Sequence, residues 1–312
     1  MAEEEGFYEI FDISEYESDS LEQLGTKSKF WYQNSDGGQY LFKSIESKGG
    51  DRLGEDWAEK IACEIAQLFS IPHAHYELAI HHGIRGVITK NFISQRGEHL
   101  IAGNELLQPY VTSVEDKANP NIQYINDVFE IMERIIVNKP IGFDSLSNIK
   151  SASDFFLGYL MFDTLISNQD RHNENWGMIV TPTGSRHLAP SYDHGASLGR
   201  NESDAKRIIR LMTKDSGQQI SSYVKKAKSQ FLDSDSSGKR LKLLEAFRRY
   251  GLIKKDAARV WLDRLISLQD LEVMEIVYRI PPEIMSDIAK EFTYQIILCN
   301  KANLISLYNE FG

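Results

Sequence analysis

A chain of 312 residues is too long for one small core and short for three domains, so one bilobal unit or two domains is the natural organisation. Hydrophobic residues make up 42% and aromatics 11%, enough to supply a core and to exclude global disorder. A formal net charge of -10 leaves no broad basic footprint, which argues against direct nucleic-acid binding.

The acidic start, MAEEEGFYEIFDISEYESDSLEQ, lacks the basic region and apolar run of a signal peptide, and it is expected to pack as an edge strand around residues 7–13. LGTKSKF follows as a short loop with one glycine. SKFWYQNSDGGQYLFK reads as a hairpin, two aromatic-rich runs about the turn Asn-Ser-Asp-Gly-Gly. In GGDRLGEDWAEKIACEIAQLFSI, Trp57, Ile61, Ile65 and Leu68 recur at helical spacing, an amphipathic helix that Pro72 closes. HAHYELAI and IRGVITKNFI read as two strands about His81-His82-Gly83, and residues 93–124 as loop-rich.

Beyond that point the pattern turns helical. INDVFEIMERII and SDFFLGYLMFDTLI both have helical period, and Ser151 or Ser153 caps the second. WGMIV and RHLAP form a short hairpin around Pro-Thr-Gly. From Glu202 onward AKRIIRLMTK, ISSYVKKAKSQFL, GKRLKLLEAFRRY, DAARVWLDRLISL and a long last segment all read as helices. A strand-rich part with one helix, residues 1–95, is thus followed by a helical part, 96–312. No run of about 18 apolar residues occurs, so no membrane span is expected and a cytoplasmic location is the default. Cys63 and Cys299 each stand alone in an apolar helical context, which on count excludes a disulfide framework or a zinc site.

Between the second helix and the hairpin lies NQDRHNEN, residues 168–175, a polar knot with apolar flanks. Asp170, His172 and Glu174 alternate and would share a face of a strand, as metal ligands do, but no second ligand cluster accompanies them. Asn and Asp also serve simply as turn formers. Phosphoryl transfer needs a carboxylate near the attacking hydroxyl, an amide oxygen a few residues on to help hold Mg2+, and a second carboxylate from another strand end. Asp170 and Asn175 are separated by the Asp-to-Asn interval of the kinase catalytic loop, and the hairpin delivers SYDHGAS, in which Asp193 begins an Asp-x-Gly. Upstream, QYLFKS ends an apolar strand on Lys43, and the following helix offers Glu55, Glu59 and Glu64 as its partner, with Glu59 favoured one turn in. The parts in this order are far more specific than any one of them.

SNQDRHNENWG followed by SYDHGAS resembles the motif pair of the HipA-like serine/threonine kinases, the toxin kinases of bacterial toxin–antitoxin systems. GTKSKFW, YLFK, GEDWAEKIACEIA, IPHAHYELA and GNELL are similar to other segments of compact members, so the resemblance covers most of the chain. It implies an α+β, bilobal, protein-kinase-like fold with a small strand-rich N-lobe and a larger helical C-lobe. It implies Asp170 as catalytic base, Asn175 and Asp193 as Mg2+ ligands, Lys43 paired with Glu59 as phosphate anchor, and His172 as a buttress of the loop. Gly25, Thr26, Lys27 and Ser28 would lie over the phosphates of ATP, with Ser28 a candidate for autophosphorylation; the G-x-G-x-x-G pattern is missing there. Lys90, Asn91, Phe92 and Ile93 would form the adenine-contacting hinge.

The implied partners are a protein substrate, by analogy an aminoacyl-tRNA synthetase, and an antitoxin protein. Fewer than 30 residues precede the phosphate loop, so the extra N-terminal subdomain of larger family members is expected to be absent or supplied by another chain. The same Asp-Arg-His-x-x-Asn string occurs in phosphoinositide kinases, which approach anionic lipid with basic surfaces; VKKAK is a short run in an acidic chain and favours a protein substrate. A kinase-fold nucleotide-binding module without transfer activity is the remaining alternative.

Overall fold

A computed structural model describes residues 6–17, 20–21, 27–47, 53–93, 96–110, 122–143, 148–233 and 239–312. Gly25 and Thr26 lie outside the described residues, and Lys27 and Ser28 are described in backbone only.

The expected hairpin forms from β3 (Lys27–Gln33) and β4 (Gln39–Ser47), closed by Gly37 in the left-handed region. Lys27 and Ser28 are already strand, not loop: Lys27 pairs with Ser47 and Lys29 with Lys43, with a register shift between them. β5 (Tyr76–His81) and β6 (Ile84–Lys90) form the second hairpin. With β1 (Ile10–Asp12) and β2 (Ser20–Leu21) they make a six-stranded sheet among the described residues, in the order β1-β5-β6-β4-β3-β2. β1 is an edge strand within residues 7–13, as expected, and it runs parallel to β5. One face of the sheet carries its own apolar cluster of Ile13, Phe30, Tyr32, Phe42, Ala79 and Ile88.

The other face receives α1 (Glu55–Leu68). The spacing predicts a one-sided amphipathic helix, but α1 is covered nearly all round: Trp57, Ile61 and Ile65 are buried, as are Asp56, Glu59 and Lys60, while Leu68 is 40% exposed. Enclosure on two sides explains this, because α1 packs on β5 and β6 and also on a helix near the C-terminus, α9 (Asp270–Tyr278). Charges buried there need partners. Asp56 accepts from Arg85 Nη2 at 2.6 Å, and Lys60 donates to Glu64 and Glu77 at 2.5 and 2.6 Å.

The segment expected to be loop-rich contains β7 (His99–Ala102), α2 (Gly103–Leu107) and a 3-10 turn. β7 pairs with β8 (Gly177–Val180), which pairs with β9 (Arg186–Leu188), the expected small hairpin. A four-residue strand whose partner lies so far along the chain leaves no local periodicity to read.

α3 (Ile125–Ile131) runs into a wider π turn at Met132–Ile136. α4 (Ala152–Leu165) is buried along its whole length, and Ser151 rather than Ser153 caps it: Ser151 Oγ accepts from Asp154 N while the Asp154 carboxylate accepts from Ser151 N. α5 (Asp204–Met212), α6 (Ile220–Lys226), α7 (Leu243–Ile253), α8 (Lys255–Ser267) and α10 (Asp287–Ile305) complete the helical part.

Two stretches expected to be wholly helical are not. ISSYVKKAKSQFL leaves the helix at Ala227 and becomes β10 (Lys228–Leu232), and Arg240–Lys242 forms β11 before α7 begins. Tertiary hydrogen bonds override propensity here: Gln169 accepts from Lys228 N through Oε1 and from Gln230 Nε2 through its backbone carbonyl.

Candidate active site

α4 ends at the polar knot, and its last turn supplies the anchor. Asp163, 1% exposed, holds Arg171 through both carboxylate oxygens and also accepts from Asn168 Nδ2 at 2.9 Å. The Arg171 guanidinium reaches on to the Asn175 carbonyl at 3.1 Å and Ser191 Oγ at 2.8 Å. One buried bidentate pair therefore fixes the start of the loop, its end and the segment leading to Asp193. Gln123, fully buried, clamps the outside: its Nε2 donates to the Arg171 carbonyl and its Oε1 accepts from Trp176 Nε1.

Within this frame Asp170 is half-buried, and its amide donates to Asn168 Oδ1. Asn175 donates through Nδ2 to the Asp170 carbonyl at 2.7 Å, which orients its amide and leaves Oδ1 as the side chain's acceptor. His172 Nδ1 accepts from Glu174 N at 3.2 Å, a contact that shapes the loop. From outside, the start of α2 docks on the loop: Gly103 N donates to the Trp176 carbonyl and Asn104 N to the Asn173 carbonyl. A Cβ at Gly103 would lie 2.4 Å from the Trp176 ring and 2.7 Å from the Asn173 carbonyl, so the approach requires glycine.

The second half of the site meets at Lys43. From the middle of β4 its Nζ lies 2.8 Å from Glu59 Oε1 on α1 and 2.8 Å from Asp193 Oδ1. Burial alone would push Lys43 down, but the Asp193 and Glu59 carboxylates override it and hold its pKa well above the usual value. Burial raises Glu59, with Lys43 opposing and Asp193 adding to the rise. Glu59 Oε2 also accepts from His194 N at 2.9 Å, so the one carboxylate holds both the strand lysine and the backbone of the Asp193 segment. Asp193 sits in the left-handed region at φ 59° and donates its amide to the Tyr76 hydroxyl. His194 is fully buried with Nε2 2.7 Å from Ser191 Oγ; burial first, then Arg171 and His73, keep it neutral.

Of the residues singled out in the sequence, Lys43, Glu59 and Asp193 meet directly, and Asp170, His172 and Asn175 share one loop. Arg171–Ser191 and a 2.8 Å bond from the Tyr192 hydroxyl to the Glu174 carbonyl tie the two groups together. Phe92 stacks on Tyr192 with centroids 5.7 Å apart, beside Asp193. Lys90 and Asn91 turn their side chains elsewhere: Lys90 pairs with Asp36 on the β3–β4 turn, and Asn91 donates to Gln39 Oε1. Glu55 pairs with Arg200, and Glu64 with Lys60. The sequence reading missed Asp163, Gln123, Ser191, His194 and Tyr76. A lone acid inside the apolar run of α4 was the available signal, since a buried carboxylate must be paired.

Known structures share this fold. A Helicobacter pylori proinflammatory kinase, CtkA, superposes with a TM-score of 0.75 at 18% identity, over 97% of this chain and 98% of that one. HipA from a Shewanella oneidensis MR-1 toxin–antitoxin complex with HipB and operator DNA superposes with a TM-score of 0.53 at 14% identity, over 96% of this chain and 67% of that one. The fold is therefore the expected α+β, bilobal, kinase-like one. No curated protein matches by sequence. Among the described residues no helix is long and apolar enough to cross a membrane. The sequence model of the HipA-like C-terminal domain matches residues 21–264, and the chain belongs to that family.

Proposed function

We propose that the chain is an ATP- and Mg2+-dependent serine/threonine protein kinase that transfers the γ-phosphate to a protein hydroxyl, its own included. The observation that carries this reading is the Lys43 bridge to Glu59 and Asp193, three residues from distant parts of the chain brought to 2.8 Å contacts beside a clamped Asp-to-Asn loop. In this reading Lys43 anchors the phosphates, Asp170 takes the proton of the attacking hydroxyl, and His172 holds the loop in shape. Asn175 Oδ1 and the Asp193 carboxylate would hold Mg2+; both are hard oxygen donors, as that ion requires, and the Asn175 amide is already turned for the task. When bound, the ion neutralises charge on the phosphates.

Residues 1–95 then form the lobe over the nucleotide and 96–312 the lobe beneath it. By the family resemblance, backbone amides where Lys27 and Ser28 begin β3 would face the phosphates, with Ser28 as a phosphorylation candidate. The hinge at Lys90, Asn91, Phe92 and Ile93 acts through its backbone, with Phe92 the side chain nearest the site.

The toxin–antitoxin complex of Shewanella oneidensis HipA with HipB supports a toxin role and an antitoxin partner. The chain acts in the cytoplasm as the toxin of a toxin–antitoxin system, and an antitoxin protein binds it. An aminoacyl-tRNA synthetase is the substrate class that the family resemblance suggests. The test is transfer of labelled γ-phosphate from Mg-ATP to the chain and to lysate proteins, followed by phosphoproteomics of cells expressing the protein or Asp170→Gln. Transfer should fall by at least about 100-fold in Asp170→Gln and in Asp193→Asn. Wild-type protein that binds Mg-ATP and phosphorylates nothing would overturn the reading.

A further inference from the structure

Cys63, which the cysteine count set aside as a metal ligand, does not stand alone. It lies on α1 one turn beyond Glu59, and the extended segment before β5 brings His73 and His75 against it. One ligand atom from each of the three lies within 4.8 Å of the others. Counting cysteines could not reveal a site whose other donors are imidazoles.

The geometry around the two rings is what points to a metal. His73 Nδ1 is 2.6 Å from the Ile71 carbonyl, and His75 Nε2 is 2.7 Å from Glu77 Oε1. A carbonyl and a carboxylate only accept, so those nitrogens carry the protons. The remaining nitrogen of each ring is left to the cluster. Two imidazoles thus turn toward a single sulfur, and one S–H can serve only one of them. The sulfur itself accepts a backbone bond from Tyr76 N at 3.3 Å. His75 Nδ1 stands 3.5 Å from Cys63 Sγ. A tetrahedral Zn2+ with ordinary Zn–S and Zn–N bonds would place those atoms about 3.6 Å apart. Outer partners are in place too: Glu77, which orients His75, is held by Lys60 at 2.6 Å.

We infer that Cys63, His73 and His75 form a binding site for a borderline transition-metal ion of the Zn2+ class. Thiolate and imidazole suit that class and not Mg2+, so the site is chemically distinct from the oxygen pair Asn175 and Asp193. Cys63 is sealed from solvent, but the His75 side chain is 56% exposed and gives an ion its way in, with a water completing the tetrahedron. On binding, the sulfur–metal bond replaces the S–H bond and the proton leaves to solvent.

The ion would join α1, which carries Glu59, to a segment that is itself tied to the segment carrying Asp193. Ala74 N donates to the Ser191 carbonyl at 2.8 Å, Ser191 N donates to the Pro72 carbonyl at 2.7 Å, and the Tyr76 hydroxyl accepts from Asp193 N. Its role is structural, and it does not depend on the kinase reading.

The test uses the full chain, freed of metal by chelator under reducing conditions and titrated with Co2+, then Zn2+. Cobalt should give a thiolate charge-transfer band with tetrahedral visible bands at one ion per chain. Zn2+ should displace it and raise Tm. Cys63→Ala and His75→Ala should each abolish the band and the Tm rise, while His187→Ala keeps both. If Cys63→Ala fails to fold, His75→Ala, altered at a half-exposed position, decides. Three results would overturn the inference: no thiolate band in folded wild type, an undiminished band in folded His75→Ala, or cobalt binding that disappears in Asp193→Asn but not in Cys63→Ala.

Discussion

Lys43 carries its charge to a place where 11% of the side chain meets solvent because two carboxylates already face that place. Removing the cation alone leaves Glu59, 1% exposed, opposite Asp193 with nothing between them. Lys43→Met should therefore cost about 3–5 kcal/mol, the scale for orphaning a buried charge. Replacing both members, Lys43→Met with Glu59→Leu, should recover part of that stability, since Asp193 is 31% exposed and can remain hydrated while the buried His194 amide loses its acceptor. Urea unfolding of the two variants checks this, and a double variant no more stable than the single would contradict it. Phosphate transfer should be lost in both. The candidate site was legible at this scale wherever chemistry sits at a fixed interval, as with Asp170 and Asn175. The pairings of Asp163, Gln123 and Tyr76 with Arg171, Trp176 and Asp193 were not legible, because only folding shows which buried polar group meets which.

At the scale of elements, the loop's precision rests on how α4 begins and where α2 lands. Asp154 closes the α4 cap by accepting from the amides of Lys150 and Ser151 at 3.0 Å, and it pairs with Lys254 at 2.9 Å. Burial pushes its pKa up, but the Lys254 bond and the two amides outweigh burial and leave it below the ordinary value. The unfolded chain then binds more protons than the folded one as the pH falls. The stabilisation is fully present above the unfolded value near about 4 and is lost as pH drops through the lower folded value. Asp154→Asn should cost about 1.5–3 kcal/mol at neutral pH, the range for hydrogen bonds to a charged group. Its stability should also fall less steeply than that of wild type below about pH 4. Denaturant midpoints against pH measure both.

Gly103→Ala tests the other contact. With Trp176 and the Asn173 carbonyl in the way, the start of α2 must withdraw from the loop, at about 1–3 kcal/mol of overpacking. Transfer should fall more than stability explains. Ser151 was legible as a cap because a serine stood before an apolar helical run. The β7–β8 pairing and the β10–β11 hairpin were not, since each is stabilised by contacts with the polar loop at 168–175 or with strands far along the chain.

Over the whole molecule, the division into a strand-rich and a helical part is a division of elements and not of the core. One apolar cluster runs from Tyr8 and the α1 residues Trp57, Ile61 and Ile65 through Phe155, Phe156 and Phe162 of α4 to Leu304 of α10. The N-terminal segment fastens this arrangement from outside. Tyr8 N donates to the Arg279 carbonyl at 2.8 Å, and the Tyr8 ring lies between the Lys60 ammonium of α1 at 4.7 Å and the Arg279 guanidinium at 4.5 Å. A few residues on, Ile13 N donates to the Ile80 carbonyl and its side chain closes the cluster on the outer sheet face. An edge strand around residues 7–13 is expected from the sequence, but the sequence could show neither that β1 runs parallel to β5 nor that Tyr8 reaches the far end of α9, because both are set by partners more than 60 residues away.

A ring placed between two cations from different parts of the chain should contribute more than its buried area alone. Tyr8→Ala should cost about 3–5 kcal/mol, the scale for deleting a buried aromatic, whereas Tyr8→Phe keeps the ring face and should cost far less. The decisive measurement is the shape of unfolding. In wild type, far-UV circular dichroism and tryptophan fluorescence should report one transition, since Trp57, Trp176 and Trp261 belong to the same cluster. In Tyr8→Ala the transition reported by the fluorescence of Trp31, on β3 of the sheet, should move ahead of the helix-dominated far-UV transition. If the two probes instead shift together by the full amount, the segment stabilises the molecule as a unit and does not fasten one part to the other.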